Sequence, residues 1–252
     1  MHPVSAASTA LLLGAGFVGG AFNAVAGGGS LLTFPALLAV GHNPLVANVT
    51  NTVGLLPGYL GGTLAYCREL AGQGHRVREL GLTAAVGAAA GCALLLTTSA
   101  AAFEAVVPFL VLGALALLAA QPALTAALRR RDGGHRERPL VLHGCVLAAG
   151  VYASYFGAAV GVVLLAVLGL FLAEGLQRLN ALKGSLSLVT STLGALVFVA
   201  IAPVDLADAG TLAVASLAGG RLGGGLARRL PPAVLRGTVL TVGLAVAVHL
   251  LL

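Results

Sequence analysis

The chain has 252 residues and a formal net charge of +6 at pH 7, and 58% of its residues are hydrophobic whereas only 9% are charged. Soluble domains carry about 25% charged residues, so this composition excludes an ordinary water-soluble enzyme. It indicates a multi-pass membrane protein, because a crossing takes about 20 apolar residues and the chain has room for roughly seven to nine crossings.

Apolar runs follow one another along the chain and are separated by short polar breaks. Gly27, Gly28, Gly29 and Ser30 separate the first two runs, and Asn43 with Pro44 forms a typical helix start before the third. We predict helices at residues 4–26, 31–40, 45–66, 80–98, 103–120, 140–156, 162–173, 179–201, 209–226 and 233–252.

The Arg residues are concentrated in three connections, at residues 68–78, 129–138 and 228–229. Loops rich in Lys and Arg stay in the cytoplasm, so we predict that these three connections face inward. The connections at 41–44, 99–102 and 203–208 contain neither Lys nor Arg and are predicted to face outward. This alternation predicts a multi-pass membrane protein with both termini outside.

Two stretches do not fit this alternation as single crossings, because residues 4–40 and 140–173 must each begin and end on one side. We interpret each stretch as a hairpin of two helices that dips into the membrane. The two stretches are also similar at a constant offset, since 161 minus 27 and 156 minus 22 both give 134. This offset matches Gly27 with Gly161 and Phe22 with Phe156.

Each half therefore contains one hairpin followed by three full crossings. Because three is odd, the second half is expected to be inverted relative to the first, as in many secondary transporters whose broken helices hold the substrate near the midplane. We predict an all-α integral membrane protein with a first transmembrane repeat at residues 1–130, a basic cytoplasmic linker at 131–139 and a second transmembrane repeat at 140–252.

A break interrupts each hairpin, at residues 27–30 and 157–161. Backbone outside a helix is tolerated in a membrane only where protein or a wet cavity satisfies its polar groups, and glycine lets a ligand approach the backbone closely. The helix that starts near Ser30 directs free NH groups at its break, which suits an anion. Alternatively, the glycines only permit tight helix packing.

Polar side chains follow each break along the chain. The helix predicted at 45–66 opens with four of them in five residues, namely Asn48, Thr50, Asn51 and Thr52. The helix predicted at 179–201 carries a corresponding stripe, namely Lys183, Ser187, Thr190 and Ser191, and Ser185 matches Asn51 in the repeat. Such side chains are costly against lipid and are expected inside, where amide and hydroxyl donors suit an oxyanion. Hydrogen bonding between helices is the alternative.

Three residues near the breaks have two interpretations each. Lys183 is the one lysine of the chain and lies clearly within a hydrophobic run; it either extends to the membrane surface or attracts an anion. Asn23 and Tyr155 flank the breaks and either point a donor inward or only pack.

Acidic residues lie only at the ends of the apolar runs, so we find no buried carboxylate that could form a proton relay. A cytoplasm-negative potential of 100 mV favours anion export by about 2.3 kcal/mol per charge. The sequence therefore favours potential-driven efflux over uphill uptake.

The segment at residues 19–30 reads GGAFNAVAGGGS and is followed by Pro35 and by ANVTN at residues 47–51. In this pattern the chain resembles the sulfite exporter TauE/SafE family, also called the 4-toluene sulfonate uptake permease family. The second half departs from the family pattern, since residues 157–161 hold fewer glycines, Gly169 replaces a proline, and Lys183 with Ser185 replaces a Thr/Ser pair.

The resemblance implies a secondary transporter that exports sulfite, thiosulfate or organosulfonates across the inner membrane by alternating access at a midplane site. It implies that the partners of the protein are a small sulfur anion and the membrane lipid around it. It implies no cofactor, metal or nucleic acid. Combined with the residue arguments above, the predicted substrate contacts are Asn23, Gly27, Gly28, Gly29, Ser30, Asn48, Asn51, Thr52, Tyr155, Gly157, Gly161, Lys183, Ser185 and Ser187.

Other classes of function remain as alternatives. An intramembrane enzyme would need convergent acids, a metal set or a nucleophile with its base, and the sequence offers none of these, so we predict that the chain is not an enzyme. An anion channel could contain similar broken hairpins. A transporter of organic anions without sulfur is a further alternative.

Overall fold

The computed structural model describes residues 6–25, 27–129, 138–226 and 232–251 and is helical throughout, without a strand in these ranges. The described helices are α1 (Ala6–Val25), α2 (Ser30–Ala39), α3 (Pro44–Ala65), α4 (Gly74–Thr97), α5 (Ala100–Arg129), α6 (Pro139–Tyr155), α7 (Val160–Phe171), α8 (Leu176–Ile201), α9 (Leu206–Leu226) and α10 (Pro232–Leu251). The predicted all-α architecture is confirmed.

Most helix ends lie within three residues of the predicted ones, but two differ. α4 begins at Gly74 rather than at residue 80, and α5 continues to Arg129 rather than ending at residue 120. Hydropathy detects only the apolar part of a helix, whereas backbone hydrogen bonding continues into the polar flanks. Arg76 and Arg78 therefore lie in the first turns of α4, not in a loop. The basic residues at 130–137 and 228–229 lie outside the described residues.

Polarity is distributed in the opposite sense to a soluble protein. Large apolar side chains cover the outer surface, and several are about two-thirds or more exposed, among them Phe109, Leu140, Leu196, Ile201 and Val214. Polar side chains lie inside, among them Asn23, Thr33, Asn48, Asn51, Lys183 and Ser216. An extensive exposed apolar surface marks a lipid-facing one, so the chain is an integral membrane protein.

Four of the described helices, α1, α4, α5 and α8, are long and apolar enough to span a membrane. Three shorter apolar helices, α2, α6 and α7, accompany them. α3 has 22 residues, which suffices for a crossing, but its polar face lowers its mean hydropathy. This set of helices agrees with a multi-pass protein.

The helices follow a pattern of five that occurs twice. α8 begins 132 residues after α3, and the same interval separates α4 from α9 and α5 from α10. The contacts repeat as well, because α1 packs on α9 as α6 packs on α4, and α2 packs on α10 as α7 packs on α5.

α3 and α8 are counterparts in this pattern, and they run antiparallel where they touch. Thr52 of α3 lies against Gly194 of α8, whereas Thr63, further along α3, lies against Gly184, which is earlier on α8. Opposite directions of counterpart helices are what inverted repeats require. The inverted orientation in the bilayer and the division at 1–130 and 140–252 stay predictions.

The two halves touch backbone to backbone at Gly27 and Gly161. A Cβ atom added to either glycine would lie 2.5 Å from the Cα atom of the other, far inside the distance at which carbon atoms pack. Gly27 also has a φ of +81°, which other residues rarely adopt. The pair that the sequence repeat matched at an offset of 134 is therefore a direct contact between the halves.

We expect Gly161→Ala to destabilise the protein by roughly 1–3 kcal/mol, the usual cost of overpacking. Gly144→Ala is the matched control, because Gly144 is also helical but has open space where its Cβ would lie, and alanine raises helix propensity. Thermal unfolding in detergent, followed by circular dichroism, should give a lower Tm for Gly161→Ala only. Equal Tm values would contradict a tight contact at Gly161.

Candidate functional site

Both hairpins are broken, but the second break lies one turn earlier than the sequence match places it. α1 ends at Val25 and α2 begins at Ser30, whereas α6 ends at Tyr155 and α7 begins at Val160. Gly157, with a φ of +73°, takes the left-handed conformation that Gly27 has in the first break. Gly161 lies in the first turn of α7 and not in the break as predicted.

The first break is held by a side chain of α1. Asn23 Oδ1 accepts a hydrogen bond from the Gly29 backbone NH at 2.7 Å, and the Thr33 hydroxyl donates to Asn51 Oδ1. These bonds tie the break to α1 and the returning helix α2 to α3. They also satisfy polar groups that lipid cannot satisfy.

The second break is held in a similar way. The Tyr152 hydroxyl donates to the Ala158 carbonyl at 2.6 Å, and Asn48 Nδ2 of α3 donates to the Tyr155 carbonyl at 2.9 Å. The Phe156 ring lies edge-on to Phe34, with ring centroids 5.4 Å apart. The first half thus supplies Asn48 and Phe34 to hold the break of the second half.

A small cavity lies between α1, α3 and α8, toward the end at which α3 finishes and α8 begins. Its volume is about 10 Å³, which accommodates the centre of about one water molecule. Its polar lining consists of Asn23, Tyr59, Thr63, Tyr66, Asn180 and Lys183. No Asp or Glu is among the described residues that line it.

Two lining groups are buried without a hydrogen-bond partner among the described residues, namely Asn23 Nδ2 and Thr63 Oγ1. Asn23 therefore has a divided role, because its oxygen holds the break while its NH₂ group has no such partner. Buried polar atoms without a partner are uncommon and costly. Two of the six such side-chain atoms among the described residues line this one cavity.

Lys183 supplies the positive charge of the cavity and is the only lysine of the chain. The residue is 2% exposed, so its ammonium group does not extend to the surface. Its Nζ atom donates to Asn180 Oδ1 at 3.2 Å, which uses one of its three donors. A buried ammonium without a carboxylate is costly, and an anionic ligand would offset this cost.

The structure brings only some of the predicted site residues together. Asn23 and Lys183 line the cavity, and Asn23 also joins Gly29 and Ser30 in one buried region next to Gly27 and Gly28. Asn48, Asn51 and Tyr155 are engaged in the interhelical bonds described above. The remaining polar residues, Thr52, Ser185 and Ser187, are not part of the cavity lining.

Four polar lining residues were not among the predicted site residues, namely Tyr59, Thr63, Tyr66 and Asn180. The Tyr59 hydroxyl lies beside the Asn23 and Ser30 side chains. A signal for Tyr59 and Thr63 exists in the sequence, because both continue the helical spacing of Asn48 and Thr52 along one face of α3. The predicted polar stripe covers only the first two turns of that helix.

This fold and this cavity define a multi-pass helical membrane protein with a polar interior site, which is the class that includes transporters. The chain matches the sulfite exporter TauE/SafE family over residues 12–250. It belongs to this family, and the resemblance noted in the sequence is confirmed.

Several curated relatives carry the description of membrane transporters. Probable membrane transporter protein YfcA of Escherichia coli strain K12 is 26% identical over 246 residues, which cover 96% of this chain and 90% of that protein. A probable membrane transporter protein of Haemophilus influenzae is 35% identical over 103 residues. That alignment covers 41% of this chain and only 40% of the Haemophilus protein. No solved structure matches the chain.

We expect Thr33→Val and Thr63→Val to differ in their effect on stability. Thr33→Val leaves a buried Asn51 oxygen without its donor and should cost about 1–3 kcal/mol. Thr63→Val removes a hydroxyl that has no hydrogen-bond partner among the described residues and should leave the Tm unchanged or raised. Thermal unfolding of both purified variants tests this, and an equal loss in Thr63→Val would show that its hydroxyl has a structural partner.

Proposed function

We propose that this membrane transporter moves small sulfur-containing oxyanions such as sulfite, thiosulfate or organosulfonates, and that the cavity around Lys183 binds them. The observation that carries the proposal is a buried ammonium among hydrogen-bond donors, with no carboxylate in the described lining. Membership of the TauE/SafE family supports the choice of sulfur anions.

The donors of the cavity match the chemistry of an oxyanion. Lys183 Nζ, Asn23 Nδ2 and the hydroxyls of Tyr59 and Thr63 are all able to donate. Hydrogen bonds to a charged acceptor are about twice as strong as neutral ones, and those inside a membrane protein do not compete with bulk water. A sulfonate or sulfite group has three oxygens that can accept several of them at once.

The small size of the cavity supports a carrier more than a channel. A volume of about 10 Å³ is too small for any of these anions, so α1, α3 and α8 must move apart before one can enter. Binding at a site that opens alternately to the two sides is typical of inverted-repeat transporters. The cavity lies off the centre of α3, closer to one end than the predicted midplane position.

The proposed direction is export across the bacterial inner membrane, with both termini outside. A cytoplasm-negative potential of 100 mV drives each negative charge outward by about 2.3 kcal/mol. The described lining contains no carboxylate or histidine that could bind a coupling proton. Export driven by the potential is therefore sufficient without a coupled ion, and no catalytic step is required.

Transport of radiolabelled thiosulfate into proteoliposomes tests the proposal. Lys183→Met should lower flux roughly tenfold to a hundredfold, because it removes charge-assisted hydrogen bonds, whereas Lys183→Arg should retain part of it. Asn23→Asp keeps the oxygen that accepts from Gly29 but replaces the free NH₂ group by a carboxylate oxygen, and it should abolish flux without loss of Tm.

Ser185→Ala is the matched control on α8, because Ser185 bonds to the Ala181 carbonyl and does not line the cavity. Its flux should remain close to that of the unaltered protein. Loss of flux in Ser185→Ala with normal flux in Lys183→Met would show that the binding site lies outside the cavity. Flux of carboxylates alone would contradict sulfur anions, and flux that neither saturates nor shows counterflow would favour the channel.

A further inference from the structure

Two pairs of one basic and one acidic side chain join the halves at opposite ends of the molecule. His42 is in the connection between α2 and α3, and its Nε2 atom lies 2.7 Å from Oδ2 of Asp208 in the first turn of α9. Glu174 is in the connection between α7 and α8, and its Oε1 atom lies 2.5 Å from Nη1 of Arg76 in the first turn of α4. Each pair links a connection of one half to a helix of the other half.

The two pairs occupy equivalent positions in the repeat. The differences 174 minus 42 and 208 minus 76 both give 132, which is the interval that separates the counterpart helices. In each pair, one residue lies two positions before its helix begins and the other is the third residue of its helix. The charges are exchanged, because the connection carries the basic residue in one pair and the acidic residue in the other.

We infer that the His42–Asp208 pair and the Arg76–Glu174 pair are two latches of the transport cycle, which hold both ends shut in this conformation and open in turn. The inference rests on the proposed function. Both pairs are formed here while the cavity has room for only about one water molecule, as an occluded intermediate requires. The pairs are partly exposed, so separating them costs less free energy than separating a fully buried pair, and each can open in every cycle.

The surroundings of the latches agree with this role. Arg178 also contacts Glu174, at 2.7 Å, and the hydrogen bond from Arg76 lowers the pKa of Glu174. The carboxylate therefore stays charged at neutral pH, and this contribution is lost only as the pH falls through its lowered pKa. At the other end, Asp205 Oδ1 accepts from the backbone NH groups of residues 207 and 208 and so supports the turn that carries Asp208.

A metal site would be another explanation for the His42 end. The ligand atoms of His42, Asp205 and Asp208 all lie within 4.8 Å of one another. The equivalent end, however, contains Arg76, which cannot bind a cation. The feature shared by the two ends is a contact between a basic and an acidic side chain of different halves, and the latch accounts for both ends.

Reversible cross-linking tests the latches. In a background without the native cysteines, the pairs His42→Cys with Asp208→Cys and Arg76→Cys with Glu174→Cys are treated with a short bis-methanethiosulfonate reagent. We expect each cross-link to lower thiosulfate flux in proteoliposomes at least roughly tenfold and a thiol reductant to restore it. The double variant His75→Cys with Glu79→Cys is the matched control, since that pair lies within α4.

Normal flux after cross-linking, with the bridge verified by mass spectrometry, would overturn the inference for that latch. An equal loss of flux in the His75/Glu79 control would overturn it as well, because the loss would then come from the reagent. Absence of flux in the background protein before any cross-linking would instead count against the proposed function.

Distances between spin labels test the latches independently of transport. Spin labels at Ala39→Cys and Gly210→Cys report the width of the His42 end, and labels at His75→Cys and Ala173→Cys report the Arg76 end. Asp208→Ala should lengthen only the first distance and Glu174→Ala only the second, by double electron–electron resonance. Unchanged distances in both variants would overturn the latches whatever the flux.

Discussion

The backbone contact between Gly27 and Gly161 is the constraint on which the arrangement of the two halves depends. Neither position has space for a Cβ atom, so two backbones meet where side chains would normally separate helices by about 8–10 Å. This contact places the break of the first hairpin against the first turn of α7. The cavity lies beside it because Asn23, which holds the break through Gly29, also reaches the space between α3 and α8.

The apolar surroundings explain why most polar side chains near the breaks are already engaged. Lipid offers no partner to the NH and CO groups that a broken helix exposes, so Asn48, Asn51, Thr33 and Tyr152 supply bonds inside the protein. Groups that can bind a ligand are those left over after this demand is met. Lys183 and the NH₂ group of Asn23 are among the groups that are left over. Both residues are as buried as Asn48 and Asn51, so burial alone does not separate residues that can bind a ligand from structural ones.

The sequence predicted the helices well because the length of an apolar run matches the thickness of the membrane. It could not show that α4 and α5 extend beyond that layer, nor that the second break lies a turn before the match to Gly27. Lys183 was predictable, since a lone basic residue inside an apolar run needs a reason. Tyr59 and Thr63 were missed because their role depends on which face of α3 meets α8. The latches pair distant residues, and only the packing of the halves brings such residues together.

Two repeats do not produce two equal binding sites here. The interval of 132 between α3 and α8 pairs Asn51 with Lys183, and not with Ser185 as the sequence offset of 134 predicted. Asn51 is bonded to Thr33. A second lysine at that position would place two buried like charges along the same pair of helices, α3 and α8, and like charges in a low dielectric repel strongly. A single buried lysine favours a single anion in the proposed off-centre site, whereas the proposed latches at the two ends keep the spacing of the repeat.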